Sequence, residues 1–284
     1  MSDGTFDLDA WLRRIGHDGP RAPGLATLRA VITAHSTTIP FENIDVLLGR
    51  TPKLDLGSLQ RKLVTGGRGG YCFEQNAILR AGLLGLGFTV TSLIGRVIRG
   101  LSADAERPAG HMILRVDLPE GSFLADVGFG NLTPTAPLVL RPHVEQATPH
   151  EVMRFLPVGD ELTLQARFGE VWENIYRVSL HPRLNIDYEV ANWFTATHPA
   201  SPFVGNLIVA RPGPDGARHT LFNGRVSARR RDGRVERHML EDAAAYQPVL
   251  AGTFGLTLSD ADLNGAVAAL ERAGTRGGTH PSFA

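Results

Sequence analysis

The stretch GGRGGYCFEQN, residues 66–76, holds the chain's only cysteine, Cys72, behind a run of five residues of which four are glycine. A lone thiol forms no internal disulfide and no cysteine-rich zinc site, so it is either an inert buried side chain or a reactive one. An apolar pattern at helical spacing starts directly afterwards, which puts Cys72 in the first turn of a helix. Unpaired backbone N–H groups and the helix dipole favour thiolate over thiol there. The glycines allow tight bends and leave room for close approach by another molecule. A cysteine nucleophile works with a base, and the base with a carboxylate that orients it. His111, at the start of a strand, and Asp126, inside the apolar run LADVG of the next, fit those roles best. A carboxylate buried there without a partner would be costly. The simplest hairpin does not group the three residues. A two-residue Glu120-Gly121 turn pairs Asp126 with Arg115 and leaves His111 on the same face but about 13 Å further along. A longer loop, a bulge, or a His111 bent back from the strand entrance would bring them together, and the sequence leaves these open.

The elements that must carry these residues follow from periodicity. Leu8, Trp11, Leu12 and Ile15 share a helix face between Asp7, a plausible N-cap, and Gly16, a stop. Leu25, Leu28 and Ile32 repeat the pattern before Ile39 and Pro40, and Ala77, Ala81 and Leu84 repeat it after Cys72, closed by Gly85 or Gly87. The period then changes from 3.6 to 2: Met112, Leu114, Val116 and Leu118 alternate with His111, Ile113, Arg115 and Asp117. PEGS (119–122) supplies a turn into SFLADV, and ELTLQARF and WENIYRVSL flank FGE as another hairpin. Antiparallel strands in succession predict a small barrel or sheet. FVGNLIVAR, a hairpin in GRVSARRRDGRVERHML turning at Asp232-Gly233, and a helix from Ser259 to Gly274 form a mixed final segment. The expected division is 1–87 helical and carrying the nucleophile, 88–200 a β-barrel carrying histidine and aspartate, and 201–284 an α/β unit. The terminal THPSFA is expected to be mobile.

Composition excludes several functions. The 284 residues are 43% apolar with a formal net charge of zero, so no global field draws nucleic acid or an anionic membrane, and a small-molecule partner is favoured. No apolar run approaches the ~18 residues needed to cross a bilayer, and MSDGTFDLDA lacks the regions of an export signal, so the expected location is the cytoplasm. GGRGG lacks the lysine and hydroxyl of a phosphate loop, and GFGN (128–131) lacks the third glycine of a dinucleotide fingerprint. The ten histidines form no HExxH, and no metal is expected. The basic hairpin RRRDGR (229–234) reads as a solvated face rather than an anion grip.

RGGYCFEQN, with IPFENIDVLLG (39–49) before it and GHMILRV and FLADVGFG after it, resembles the arylamine N-acetyltransferases. The resemblance is most specific over residues 39–131; beyond 131 it rests mainly on SPFVGNLIVAR and the RRRDG hairpin. It implies an α+β fold with an N-terminal helical bundle, a central antiparallel β-barrel and a C-terminal α/β lid, its catalytic core similar to that of papain-like cysteine proteases and transglutaminases. Carried over residue by residue, it makes Cys72, His111 and Asp126 the catalytic triad. It further implies a cytoplasmic enzyme of xenobiotic metabolism, monomeric or homodimeric, that takes an acetyl group from acetyl-CoA onto the cysteine and passes it to an arylamine, arylhydrazine or hydrazide. Phe41, Tyr71, Phe129 and Phe203 are then expected around the aromatic acceptor. The backbone at Gly128, Gly130 and Asn131 is expected near CoA. The alternative is a Cys-His-Asp hydrolase, a peptidase or amidase with the same triad delivering acyl groups to water.

Overall fold

The computed structural model describes residues 6–274, and the tail THPSFA lies outside the described residues. Helix α1 (Leu8–Ile15) begins where the Asp7 carboxylate accepts the Ala10 N–H at 2.8 Å and ends where Gly16 turns left-handed at φ 69°, the two caps the sequence predicts. It buries Trp11, Leu12 and Ile15. There follow α2 (Leu25–Thr38), β1 (Phe41–Glu42), α3 (Ile44–Leu47), α4 (Leu56–Leu59), which continues into a π-helical stretch at 60–65, and α5 (Cys72–Gly85).

The middle of the chain is an eight-stranded antiparallel sheet of β2 (Thr89–Val97), β3 (His111–Leu118), β4 (Gly121–Ala125), β5 (Leu138–Val139), β6 (Gln146–Ala147), β7 (Val152–Val158), β8 (Glu161–Phe168) and β9 (Val171–Ser179), in the order β5-β4-β3-β2-β9-β8-β7-β6. It curls into a nearly closed barrel around Leu93, Ile113, Phe155, Leu164 and Tyr176. Its two edge strands meet through a side chain: the Gln146 amide accepts from Val139 N at 2.7 Å and donates to Val139 O at 3.0 Å. A carboxamide has the donor and acceptor of a peptide group, so Gln146 satisfies an edge that would otherwise be left unpaired. The hairpins β3–β4 and β8–β9 match the alternation in the sequence. Strands β2 and β7 do not have a clean alternation and are visible only in the fold.

After α6 (Asn185–Thr197), strands β10 (Ile208–Pro212), β11 (Arg218–Phe222), β12 (Arg225–Arg229) and β13 (Val235–Met239) form a second sheet, followed by α7 (Tyr246–Phe254) and α8 (Asp260–Arg272). That sheet runs β1-β10-β11-β12-β13, so its first strand comes from the helical segment, with Phe41 opposite Ala210. Ile44 and Leu47 of α3 likewise pack with Leu250, Phe254 and Leu270. Asn43 fastens the join: its amide donates to the carbonyls of Phe203 and Asn206 and accepts from Ile208 N. Three of the four arginines of the RRRDGR hairpin pair with neighbouring acids, Arg229 with Glu151, Arg230 with Asp215 and Arg234 with Asp232. Among the described residues no helix is long and apolar enough to cross a membrane.

One buried residue makes the fold acid-sensitive. His35 on α2 donates through Nε2 to Gln75 Oε1 on α5 at 2.8 Å, and it is wholly buried. Burial pushes its pKa down from 6.5 to about 4, opposed by the Gln75 hydrogen bond and aided by the charge of Arg14. The folded state therefore holds the ring neutral, while the unfolded chain protonates it below its ordinary pKa. The resulting stabilisation is complete above 6.5 and is lost as pH falls toward 4. Between neutrality and that acid limit, wild type should lose on the order of 2–3 kcal/mol more unfolding free energy than His35→Gln, as read by urea titration.

Candidate active site

The glycine run before Cys72 serves packing within the chain. A Cβ on Gly69 would lie 2.1 Å from the Pro40 carbonyl oxygen, and Glu42 N donates to Gly70 O at 3.1 Å. The close approach is therefore made by the backbone at residues 40–42. This contact sets the entry to α5, whose first residue is Cys72. Glu74, one turn in, reaches back to the Tyr71 N–H at 3.1 Å, a capping bond that fixes the first turn. The Glu74 carboxylate is itself buried and lies 2.7 Å from Lys62, which also bridges to Asp45 at 2.6 Å. Burial raises the Glu74 pKa to about 7, against the pull of Lys62. Arg68 pairs with Glu42 at 2.8 Å and extends this ionic network beneath the glycine run.

The barrel delivers the other two groups. His111 opens β3, where it pairs with Gly95, and Asp126 follows the last residue of β4. The hairpin turns at Pro119-Glu120, with Leu118 opposite Gly121 and Leu114 opposite Ala125. This register differs by two residues from the one expected around Glu120-Gly121, and the change moves Asp126 towards His111. Asp126 also steps off the ladder, since β4 ends at Ala125, so neither a long loop nor a bulge in this hairpin is needed. His111 Nε2 lies 2.8 Å from Asp126 Oδ2, and both side chains are buried. The His111 ring also hydrogen-bonds the Cys72 side chain, and with Nε2 given to Asp126 the ring nitrogen left for it is Nδ1; the sulfur also lies 3.7 Å from Gly110 O.

Two residues that the sequence reading did not single out hold this arrangement. Asn76 is four residues after Cys72 and hence on the same helix face. Its amide donates to Met112 O at 2.7 Å and Asp126 Oδ1 at 2.9 Å, while its oxygen accepts from Val127 N at 3.0 Å. The spacing C-x-x-x-N was the available signal. Tyr176, wholly buried on β9, packs its ring 5.0 Å from His111 and 5.2 Å from Phe129, and nothing local in WENIYRVSL marks it. Burial foremost, and then the charge of Asp126, keep its hydroxyl protonated.

The charges are coupled. Burial alone would lower the pKa of His111, but the charge and hydrogen bond of Asp126, followed by those of Cys72, outweigh it and raise it. Burial alone would raise Asp126; His111, Asn76 and the Gly128 N–H at 2.9 Å hold it low instead. These interactions favour the protonated form of the ring, which lies beside the sulfur.

A small cavity of about 70 Å³ opens over this group. Of the expected residues, Phe41, Phe129, Phe203, Gly128 and Asn131 line it together with Cys72 and His111. Tyr71 and Gly130 do not. Tyr71 is fully buried behind the cavity, edge-on to Phe203 at 6.0 Å, with its hydroxyl bonded to Asn192; its size and apolar ring make it core. Gly130 turns at φ 85°, and a Cβ there would come within 3.3 Å of the Phe41 ring. Gly128 lies against α5, where a Cβ would come within 2.7 Å of Cys72 Cα. Val97, Arg99 and Gly110 line the cavity in addition. A larger cavity of about 380 Å³, lined by charged residues including Asp45, Arg50, Lys62 and Glu74, contains none of Cys72, His111 and Asp126.

A thiol, an imidazole and a carboxylate gathered under an apolar slot form an arrangement that would suit acyl transfer through a thioester. Comparison with known proteins agrees. The family profile described as N-acetyltransferase matches residues 24–263. Arylamine N-acetyltransferases of Mycolicibacterium smegmatis and Escherichia coli (strain K12) are 43% and 41% identical, the alignments covering 90% and 89% of this chain and 94% and 90% of theirs. The structure of the Mycobacterium marinum arylamine N-acetyltransferase in complex with CoA superposes with a TM-score of 0.88 at 38% identity, covering 94% of this chain and 99% of that one. On this evidence the chain belongs to the arylamine N-acetyltransferase family.

Proposed function

We propose that this protein carries an acetyl group from acetyl-CoA to an arylamine, arylhydrazine or hydrazide by way of acetyl-Cys72. The observation that supports this most directly is the contact of His111 with both Cys72 and Asp126 inside one buried cluster. The Cys72 thiolate attacks the thioester carbonyl, forming the new C–S bond. The tetrahedral adduct collapses by breaking the bond to CoA, whose thiolate takes the proton from His111. Thioester is exchanged for thioester, so little free energy is lost and the acetyl group stays reactive. The amine then attacks acetyl-Cys72 and gives its proton to His111, and the Cys72 thiolate leaves. An aromatic amine is neutral near pH 7 and needs no prior deprotonation. First-turn amides of α5 lack intrahelical carbonyl partners and are suited to stabilising the developing oxyanion.

Phe41, Phe129 and Phe203 favour a flat apolar acceptor, and the loop at Gly128 and Asn131 is our proposed approach for CoA. Cys72 is only 6% exposed, so an acetyl group held there sits out of bulk water. Intact-mass measurement after mixing with acetyl-CoA tests the reading. Transfer predicts one added acetyl group that persists in buffer and disappears when an arylamine or hydrazine is supplied. An adduct lost to water alone, or none at all, would support the hydrolase alternative instead.

A further inference from the structure

The Glu74 carboxylate is held against the start of α5 by the glycine run. A Cβ on Gly70 would come within 2.7 Å of Glu74 Oε2, so a side chain at 70 would displace it. Oε2 accepts from Tyr71 N at 3.1 Å and Oε1 from Lys62 Nζ at 2.7 Å, and the residue is only 2% exposed. Lys62 is shared. Its ammonium also lies 2.6 Å from Asp45 Oδ2 on α3 and 4.0 Å from Glu42 Oε1 on β1. Those two acids each have a second cation, because Arg68 reaches Glu42 at 2.8 Å and Asp45 at 3.6 Å, and Arg50 reaches Asp45 at 3.6 Å. Among the described residues Glu74 is paired with Lys62 alone. Asp262 on α8 closes the network through Arg50 at 2.7 Å and Arg68 at 3.8 Å. Three carboxylates therefore depend on one ammonium, and Glu74, without a second cation, is the one most relieved by taking up a proton. Burial foremost, against the pull of Lys62 and with the push of Glu42, brings its pKa up to about 7. The cavity of about 380 Å³ that Glu74 lines, with Lys53 and Arg61 exposed at its rim, gives protons a route to the carboxyl group.

We propose that Glu74 is a positioning residue that acts on Cys72 through its charge, so that proton uptake by the Glu74 carboxylate speeds the attack of Cys72 on acetyl-CoA. This rests on the acetyl-transfer reading of the site. Glu74 and Cys72 share the first turn of α5, two residues apart, a spacing at which side chains do not face each other. The influence is therefore through space. An ionised Glu74 opposes negative charge on the sulfur and on an oxyanion at the first-turn amides, and in a buried turn that repulsion is screened less than in water. Protonation removes the charge and keeps the helix start, because the carbonyl oxygen of the acid still accepts from Tyr71 N.

The test follows acetylation of Cys72 in the full chain by acetyl-CoA, with no acceptor present, by rapid mixing and intact-mass measurement across neutral pH. Glu74→Gln keeps an oxygen for Tyr71 N and lacks the charge. The readout is its acetylation rate divided by that of wild type at each pH, which cancels the ionisations the two proteins share. The ratio should be near one below about pH 6 and rise about 3- to 10-fold by about pH 8, with its midpoint at about 7. A ratio that is the same at every pH overturns the proposal, because a merely structural loss acts throughout; so does a ratio that falls as pH rises. Asp45→Asn leaves Glu74 a larger share of Lys62 and should move the wild-type step down by about 0.5–1 pH unit. Should Glu74→Gln fail to fold, that shift is the deciding result, and an unmoved step overturns the proposal. Failure of wild type to form acetyl-Cys72 removes the underlying transfer reading and this proposal with it. Acetylation of Cys72 with a flat ratio removes only this proposal.

Discussion

Cys72→Ala should form no acetyl-enzyme and should lose acetyl transfer on the order of 10⁵- to 10⁶-fold, the scale seen when a covalent nucleophile is removed from a triad hydrolase. Removing sulfur leaves the His111–Asp126 pair and the aromatic slot in place, so acetyl-CoA and amine can still bind, but no group remains to take the acetyl. The void left by one sulfur atom is small, and the helix start is fixed independently by the Glu74–Tyr71 capping bond and the packing of Gly69 on Pro40. The variant should therefore melt within a few degrees of wild type. Stopped-flow acetylation followed by intact-mass measurement checks the loss, and differential scanning calorimetry checks the fold. Retention of transfer by a folded Cys72→Ala protein would falsify the assignment of the nucleophile.

Asp126→Asn should lower kcat/KM for acetyl transfer about 10³- to 10⁴-fold while leaving the protein folded. The hydrogen bonds around the carboxylate explain both halves. Oδ1 accepts from Asn76 Nδ2 and Gly128 N, so an asparagine here keeps its oxygen on that side and turns its NH₂ towards His111. His111 Nε2 must then accept, which places the ring proton on Nδ1, facing sulfur. A ring in that tautomer cannot take the thiol proton. The charge that raises the His111 pKa is lost as well. Asp126→Ala differs, because it leaves the buried donors of Asn76 and Gly128 unpaired beside a cavity, and it should also destabilise by about 3–5 kcal/mol. Single-turnover acetylation separates the two variants from wild type, and urea titration separates them from each other. The pair also has a pH signature with two signs. The depressed Asp126 pKa stabilises the fold above the ordinary carboxylate range and is lost in acid. The raised His111 pKa stabilises it below 6.5 and is lost as pH climbs through the folded value. Asp126→Asn should flatten both limbs.

The sequence by itself determined the chemistry and the local elements that carry it. One thiol at a helix start, a histidine opening a strand and an aspartate in an apolar run are the groups we propose to react, and Asp7, Gly16 and the period-2 runs fix helix α1 and the strands β3, β4, β8 and β9. These are near-neighbour properties, set by caps, turns and alternation within a few residues. Only the tertiary structure decided how the groups meet. The hairpin register depends on which of two adjacent turns, Pro119-Glu120 or Glu120-Gly121, the barrel core selects, and the difference of two residues decides whether Asp126 reaches His111. The placement of Tyr71 in the core and the support given by Asn76 and Tyr176 come from contacts between elements far apart along the chain. Local pattern carries no record of such contacts, because their free energy exists only once the helices, barrel and second sheet are packed together.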